Sequence, residues 1–185
     1  MENIMSRWCS TNMSEDGRSF MVRNVTNVIP VHHMISFKLP DVTINKMNST
    51  HQKIWRKNKT NKGNPPISWK NVSTPKKEGG LGFRILKLFN IALLAKSACR
   101  LCTDNTSMCT LSLRAKYFPD GKIFDIKDNS NSTCSWRSII SKLSFIKNYS
   151  CWSIGNGQTV LIWSYRWIPE LLTPPTPKFG VNNYQ

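Results

Sequence analysis

A chain of 185 residues and 21.2 kDa suits one domain of ordinary size. Its 26 Lys and Arg stand against 10 Asp and Glu, a net charge of +16 that favours a polyanionic partner, nucleic acid ahead of an anionic membrane surface. The sparse carboxylates include no adjacent Asp pair, which excludes the clustered two-metal centres of polymerases and nucleases, and no apolar run approaches the ~20 residues of a membrane span.

Residues 1–16 are polar and weakly patterned, a weakly ordered N-terminal segment without the apolar stretch of a secretory signal. The protein is therefore expected to be intracellular, cytoplasmic or nuclear rather than secreted, with its six cysteines reduced. From Gly17 onward Phe20, Met21, Val25, Val28 and Ile29 recur at mostly helical spacing as far as Pro30. A second apolar stretch through Met34, Ile35 and Phe37 ends at Pro40, which opens a helix with Ile44, Met47, His51, Ile54 and Trp55 on one face. The segment 56–66 that follows has neither acid nor apolar side chain and reads as an exposed basic loop. Lys76 to Phe83 is a Gly-rich connection ahead of the strongest helical pattern, about Ile85 to Cys102, with Leu88, Ile91, Ala92, Ala95, Cys99 and Cys102 as its apolar stripe. A shorter helix is expected over Met108 to Tyr117, then turn chemistry at Phe118-Pro119-Asp120-Gly121, a polar stretch over 122–133, and a helix through Trp136, Ile139, Ile140 and Leu143. Gly155-Asn156-Gly157 between two apolar runs predicts a β-hairpin near 152–163, and the prolines beyond Pro169 predict a disordered tail over 170–185. The fold class expected is mainly α, a helical bundle over 17–169 with one small C-terminal β-hairpin.

Among the chemistry-bearing patterns, Cys99, Cys102 and Cys109 could hold zinc, but no His or Cys pair follows at finger-like spacing, and the helical stripe predicts core thiols instead. His32-His33 has no acid or Cys neighbour and is expected on a helix surface. The Gly79-Gly80-Leu81-Gly82 loop lacks the ending of a nucleotide-binding loop, so it is either a backbone-phosphate cradle with Lys76, Lys77 and Arg84 or a plain structural turn. The candidate nucleic-acid contacts are Arg56, Lys57, Lys59 and Lys62 of the acid-free loop, Lys76, Lys77 and Arg84 of the Gly-rich segment, and Lys87, Lys96, Arg114, Lys116 and Arg137 on the helices. No catalytic residue, metal site, cofactor or small-molecule substrate is assigned.

Read in order, Gly17-Arg18, Ile29-Pro30, MISFKLP at 34–40, PKKEGGLGFR at 75–84, FNIALLAK at 89–96, RAKYFP at 114–119, WRSI at 136–139, IGNG at 154–157 and the Trp163 to Trp167-Ile168-Pro169 block resemble plant LINE-type (non-LTR) retrotransposon reverse transcriptase, an RNA-directed DNA polymerase. Tyr165-Arg166 stand where that family usually has Asp-Pro, and Cys99 where a Trp is common. The resemblance implies the thumb and connector region, which lies between the polymerase palm and the zinc-binding and ribonuclease H segments. It implies a catalytically inactive fragment that holds the template-primer backbone of RNA or DNA without reading sequence. The alternative is a non-functional pseudogene product, or a helical interaction module with no nucleic-acid role.

Overall fold

The computed structural model describes residues 13–56, 67–126, 131–158, 160–171 and 173–176. Most of the expected weakly ordered N-terminal segment (1–12), the basic loop from 57 to 66 and the end of the expected tail from 177 onward lie outside the described residues. Ser14 starts the first helix, α1 (Glu15–Phe20), by accepting a hydrogen bond from the Gly17 N–H at 3.2 Å, and Glu15 and Asp16 place negative charge at its positive end. The chain continues through a π-helical segment, Met21–Thr26, into α2 (Val31–Ser36), which ends where Phe37 becomes extended. Pro40 supplies the first carbonyl of α3 (Asp41–Arg56), which has Asp41 in its first turn and Lys53 and Arg56 in its last, all complementing the helix dipole. Next come the short α4 (Trp69–Val72), a 3-10 turn at Lys76–Glu78, and the long α5 (Leu86–Thr103). Asp104 then accepts from the Thr106 and Ser107 N–H groups at 2.9 and 3.1 Å, and α6 (Met108–Tyr117) begins on the Ser107 cap. A 3-10 turn at Ile123–Asp125, α7 (Cys134–Ile140) and α8 (Leu143–Tyr149) complete the regular elements. Among the described residues no helix is long and apolar enough to cross a membrane.

Two compact units divide the chain, one formed by Met1–Ser97 with Ser132–Ile139, the other by Ala98–Asn131 with Ile140–Gln185. The first unit holds two apolar clusters. In one, Val22, Ile54, Val72 and Phe83 are buried with Trp55, Trp69 and Leu81 against them. Trp55, Trp69 and Phe83 meet edge-on or tilted with ring centroids 5.2–6.4 Å apart, the geometry aromatic rings prefer. In the other, Met34, Ile44 and Leu86 are buried with Leu39, Met47, Phe89 and Leu93 around them. The face expected for α3 is the face it buries: Ile44, His51 and Ile54 are each 3% exposed or less. In the second unit α8 packs against the 3-10 turn at Ile123–Asp125, and Phe118 and Ile123 are buried.

Two expectations are corrected. The core side of α5 is Leu86, Asn90, Leu94, Ala95, Ala98 and Leu101; of the expected stripe Ala95 alone is buried, whereas Leu88 is 59% exposed and Ala92 and Cys99 also face solvent. The helix is apolar nearly all round, so its sequence carries no single inward direction. A polar residue sets it: the Asn90 side chain accepts from the Leu39 N–H at 2.9 Å and donates to the Met34 and Phe37 carbonyls at 2.8 and 2.9 Å, which requires that side to face α2.

The C-terminal β-hairpin is absent, and the described residues contain no strand. Where its second strand was expected, the Ser164 and Tyr165 N–H groups both bond back to the Leu161 carbonyl, at 3.1 and 3.0 Å, so 161–165 coils into a turn. Asn156 meanwhile bonds locally to Gln158, its Oδ1 accepting from the Gln158 N–H at 3.3 Å and its Nδ2 donating to Oε1 at 3.1 Å. Such Asx-type bonds offer the backbone an alternative to a ladder, and a single 2.8 Å bond from the Trp152 N–H to the Arg166 carbonyl does not make a sheet.

Candidate nucleic-acid interface

The Gly-rich segment is held by its own backbone. Its amides are spent internally: the Gly79 N–H bonds to the Lys76 carbonyl, Gly80 to Pro75, Leu81 to Val72 and Gly82 to Thr74, at 2.9–3.2 Å. Gly79 and Gly82 adopt left-handed φ values of 83° and 67°, and a Cβ at Gly80 would overlap the Thr74 carbonyl and hydroxyl. With the amides of the glycine loop itself bonded to the chain, the loop is a structural turn rather than a backbone cradle. Its side chains are another matter. Lys76 and Lys77 are exposed on the 3-10 turn, the Lys76 stem runs beside Gly82, and the exposed Arg84 guanidinium lies 4.7 Å over the Phe89 ring.

The other predicted contacts are dispersed. Lys57, Lys59 and Lys62 lie outside the described residues. Arg56 is half-buried and donates to the Ile67 carbonyl at 2.9 Å. Lys87 forms an exposed ion pair with Asp41 at 3.0 Å. Lys96 stands nine residues further along α5, two and a half turns at 3.6 residues per turn, so the two lysines leave the helix on opposite sides. Arg137 is exposed on α7. In the second unit Lys116 extends over the Tyr117 ring at 5.2 Å, and Arg114 is half-buried against Gly121, where a Cβ would stand 2.8 Å from Nη2. Of the twelve, Lys76, Lys77 and Arg84 are exposed within nine residues of one another along the chain, with Glu78 as the one acid among them.

Several basic residues turn out to be scaffold. Arg18 donates to the Trp55 carbonyl at 2.8 Å and to Met13 at 2.9 Å, and Arg23 donates to the Leu81 carbonyl at 2.6 Å with its guanidinium 5.4 Å over Phe83. These arginines pull α1 onto α3 and the π-helical segment onto the Gly-rich turn; in the sequence they were only positive charge. The cysteines depart from expectation too: Cys99 and Cys109 are exposed, and only Cys102 is half-buried. Among the described residues no three His, Cys, Asp or Glu side chains come together as metal ligands, and His32 and His33 are exposed on α2.

No family model matches the chain, and no solved structure does. Proteins of Arabidopsis thaliana do. The "Putative ribonuclease H protein At1g65750" is 32% identical over 169 residues, 89% of this chain, and the chain spans only 27% of that relative's length. The "Uncharacterized mitochondrial protein AtMg00310" is 31% identical over 150 residues, which make up 80% of this chain and 97% of the relative. With nearly the whole of that second relative aligned at this identity, the chain belongs to its family, a retroelement-related family of plant proteins.

Proposed function

We propose that the chain is a catalytically inactive, retroelement-derived segment corresponding to the thumb and connector of a reverse transcriptase, and that it holds the backbone of RNA or DNA without reading sequence. What supports this is the Gly-rich segment, where Lys76, Lys77 and Arg84 are exposed within nine residues with Glu78 as the one acid among them, while the Gly79–Gly82 amides bond to the chain itself. Exposed cations close together along the chain can meet successive phosphates while leaving base edges untouched. The net charge of +16 supplies the longer-range attraction, and the ten carboxylates are spread along the sequence rather than clustered for metal chemistry. The relative named for ribonuclease H extends far beyond the matched part, so its named activity need not reside in the segment that this chain parallels.

Titrating a labelled duplex at increasing salt tests this. The logarithm of the affinity is expected to fall linearly with the logarithm of salt, at roughly −0.9 per phosphate contacted, with little dependence on base sequence. Replacing Lys76, Lys77 and Arg84 together by Ala should weaken binding to all sequences and flatten the slope by up to about three contacts. The same substitution of Lys57, Lys59 and Lys62 reports on the acid-free loop. A folded protein that binds no duplex at about 50 mM salt would exclude this function and favour an interaction module instead.

A further inference from the structure

The second unit carries an exposed aromatic face that the backbone grip leaves unused. No Asp or Glu stands between Asp128 and Glu170, while Lys142, Lys147 and Arg166 do. In that stretch, side chains that a globular unit ordinarily buries stand in solvent: Tyr149 is 74% exposed, Phe145 47%, Trp152 45% and Trp163 40%. Phe145, Tyr149 and Trp152 each stand against another ring. Phe145 and Tyr149, one turn apart on α8, have ring centroids 4.7 Å apart at 37°, and Trp152 pairs with Tyr165 at 4.8 Å and 33°. Arg166 ties the two pairs together. Its Nη1 donates to the Asn148 carbonyl, next to Tyr149, at 2.6 Å, its Nη2 donates to Pro169 at 3.0 Å, and its own carbonyl accepts from Trp152 at 2.8 Å. Lys142 stands one turn before Phe145, on the same side of the helix.

We infer that this face is a stacking platform for single-stranded nucleic acid. Bases in a duplex are already stacked and present only edges and phosphates, so a solvent-facing aromatic ring gains most from a base that is unstacked. Any base offers a π-face, and a stretch of chain that carries lysines and no acid suits the phosphates that come with it. Leu161 and Ile162 beside Trp163 are exposed as well, 59% and 51%, so a second copy of the chain is the rival occupant. The platform lies in a different unit from the Gly-rich turn and on different residues, and either site can fail alone.

The test is binding of the full chain to a labelled oligothymidylate of about 16 nucleotides, beside the duplex titration and sedimentation of the free protein. Tyr149→Ala and Trp152→Ala should each weaken single-strand binding roughly tenfold, Trp152→Phe should restore most of it, and duplex affinity should change less than about twofold. Single-strand affinity unmoved by both alanine variants, or duplex affinity falling in step with it, would overturn the platform. So would a wild-type dimer that these substitutions dissociate, which would make the face an interface between copies. Aromatic-dependent single-strand binding without duplex binding would sink the backbone grip and leave the platform standing.

Discussion

Asn90 shows how much a single amide can decide. Buried to 2% exposure, it makes three hydrogen bonds to the backbone of residues 34–39 and so docks the turn after α2 onto α5. Asn90→Leu keeps the branched shape but orphans one N–H and two carbonyls, and should cost about 2–4 kcal/mol in urea unfolding; a loss below about 1 kcal/mol would show that the clamp is dispensable. His51 is the other buried polar residue with a consequence. It is 1% exposed, donates to the Thr26 carbonyl, and burial outweighs that bond to lower its pKa from 6.5 to about 4. The unfolded chain thus takes up a proton near pH 6.5 that the folded chain refuses until about pH 4. Stability should fall as pH drops through that window, by up to about 3 kcal/mol, and should be fully present above it. His51→Gln, which retains a donor but does not titrate, should remove that part of the pH dependence, and identical pH profiles would refute it. Among the thiols, burial and the neighbouring Cys99 push Cys102 up to about 11. Cys99 should therefore be alkylated well before Cys102 at pH 8, as mass spectrometry of partly modified protein would reveal.

The elements divide into those whose direction is written in their pattern and those whose direction is not. α3 has one apolar face and buries it. α5 has two, and the unused one, with Leu88 and Ala92, is left in solvent. Leu94→Ala, at a fully buried position, should cost about 2–5 kcal/mol, whereas Leu88→Ala should stay within about 0.5 kcal/mol. Thermal unfolding of the pair distinguishes the two faces, and equal losses would mean that the outer face is covered.

At the scale of the molecule the net charge of +16 is carried by basic residues of two kinds among the described residues. Arginines 18, 23, 56 and 166 are drawn inward to backbone carbonyls, which a planar guanidinium with five donors satisfies better than an ammonium can. Lysines 76, 77, 96 and 116 stay in water. The proposed absence of metal chemistry belongs at this scale too. Purified protein should extend no primer and cleave no RNA–DNA hybrid with magnesium or manganese, and a metal-dependent activity abolished by Asp125→Asn or Asp128→Asn would reverse that.

Length, charge and the ordered blocks were enough to indicate a helical, basic, retroelement-related chain, because composition and a family's motifs do not depend on how distant segments meet. The face of α3 was legible for a similar reason, since Ile44, His51 and Ile54 repeat at helical spacing within one element. The inward side of α5, the loss of the hairpin and the roles of Arg18, Arg23 and Asn90 were not legible. Each is decided by partners or competing bonds that local periodicity does not register: Asn90 answers carbonyls more than fifty residues away, and Arg23 one fifty-eight residues on. Tertiary structure chose among the apolar sides of α5 because the one with Asn90 satisfies buried backbone groups, and an unsatisfied buried carbonyl or amide costs more than an exposed leucine.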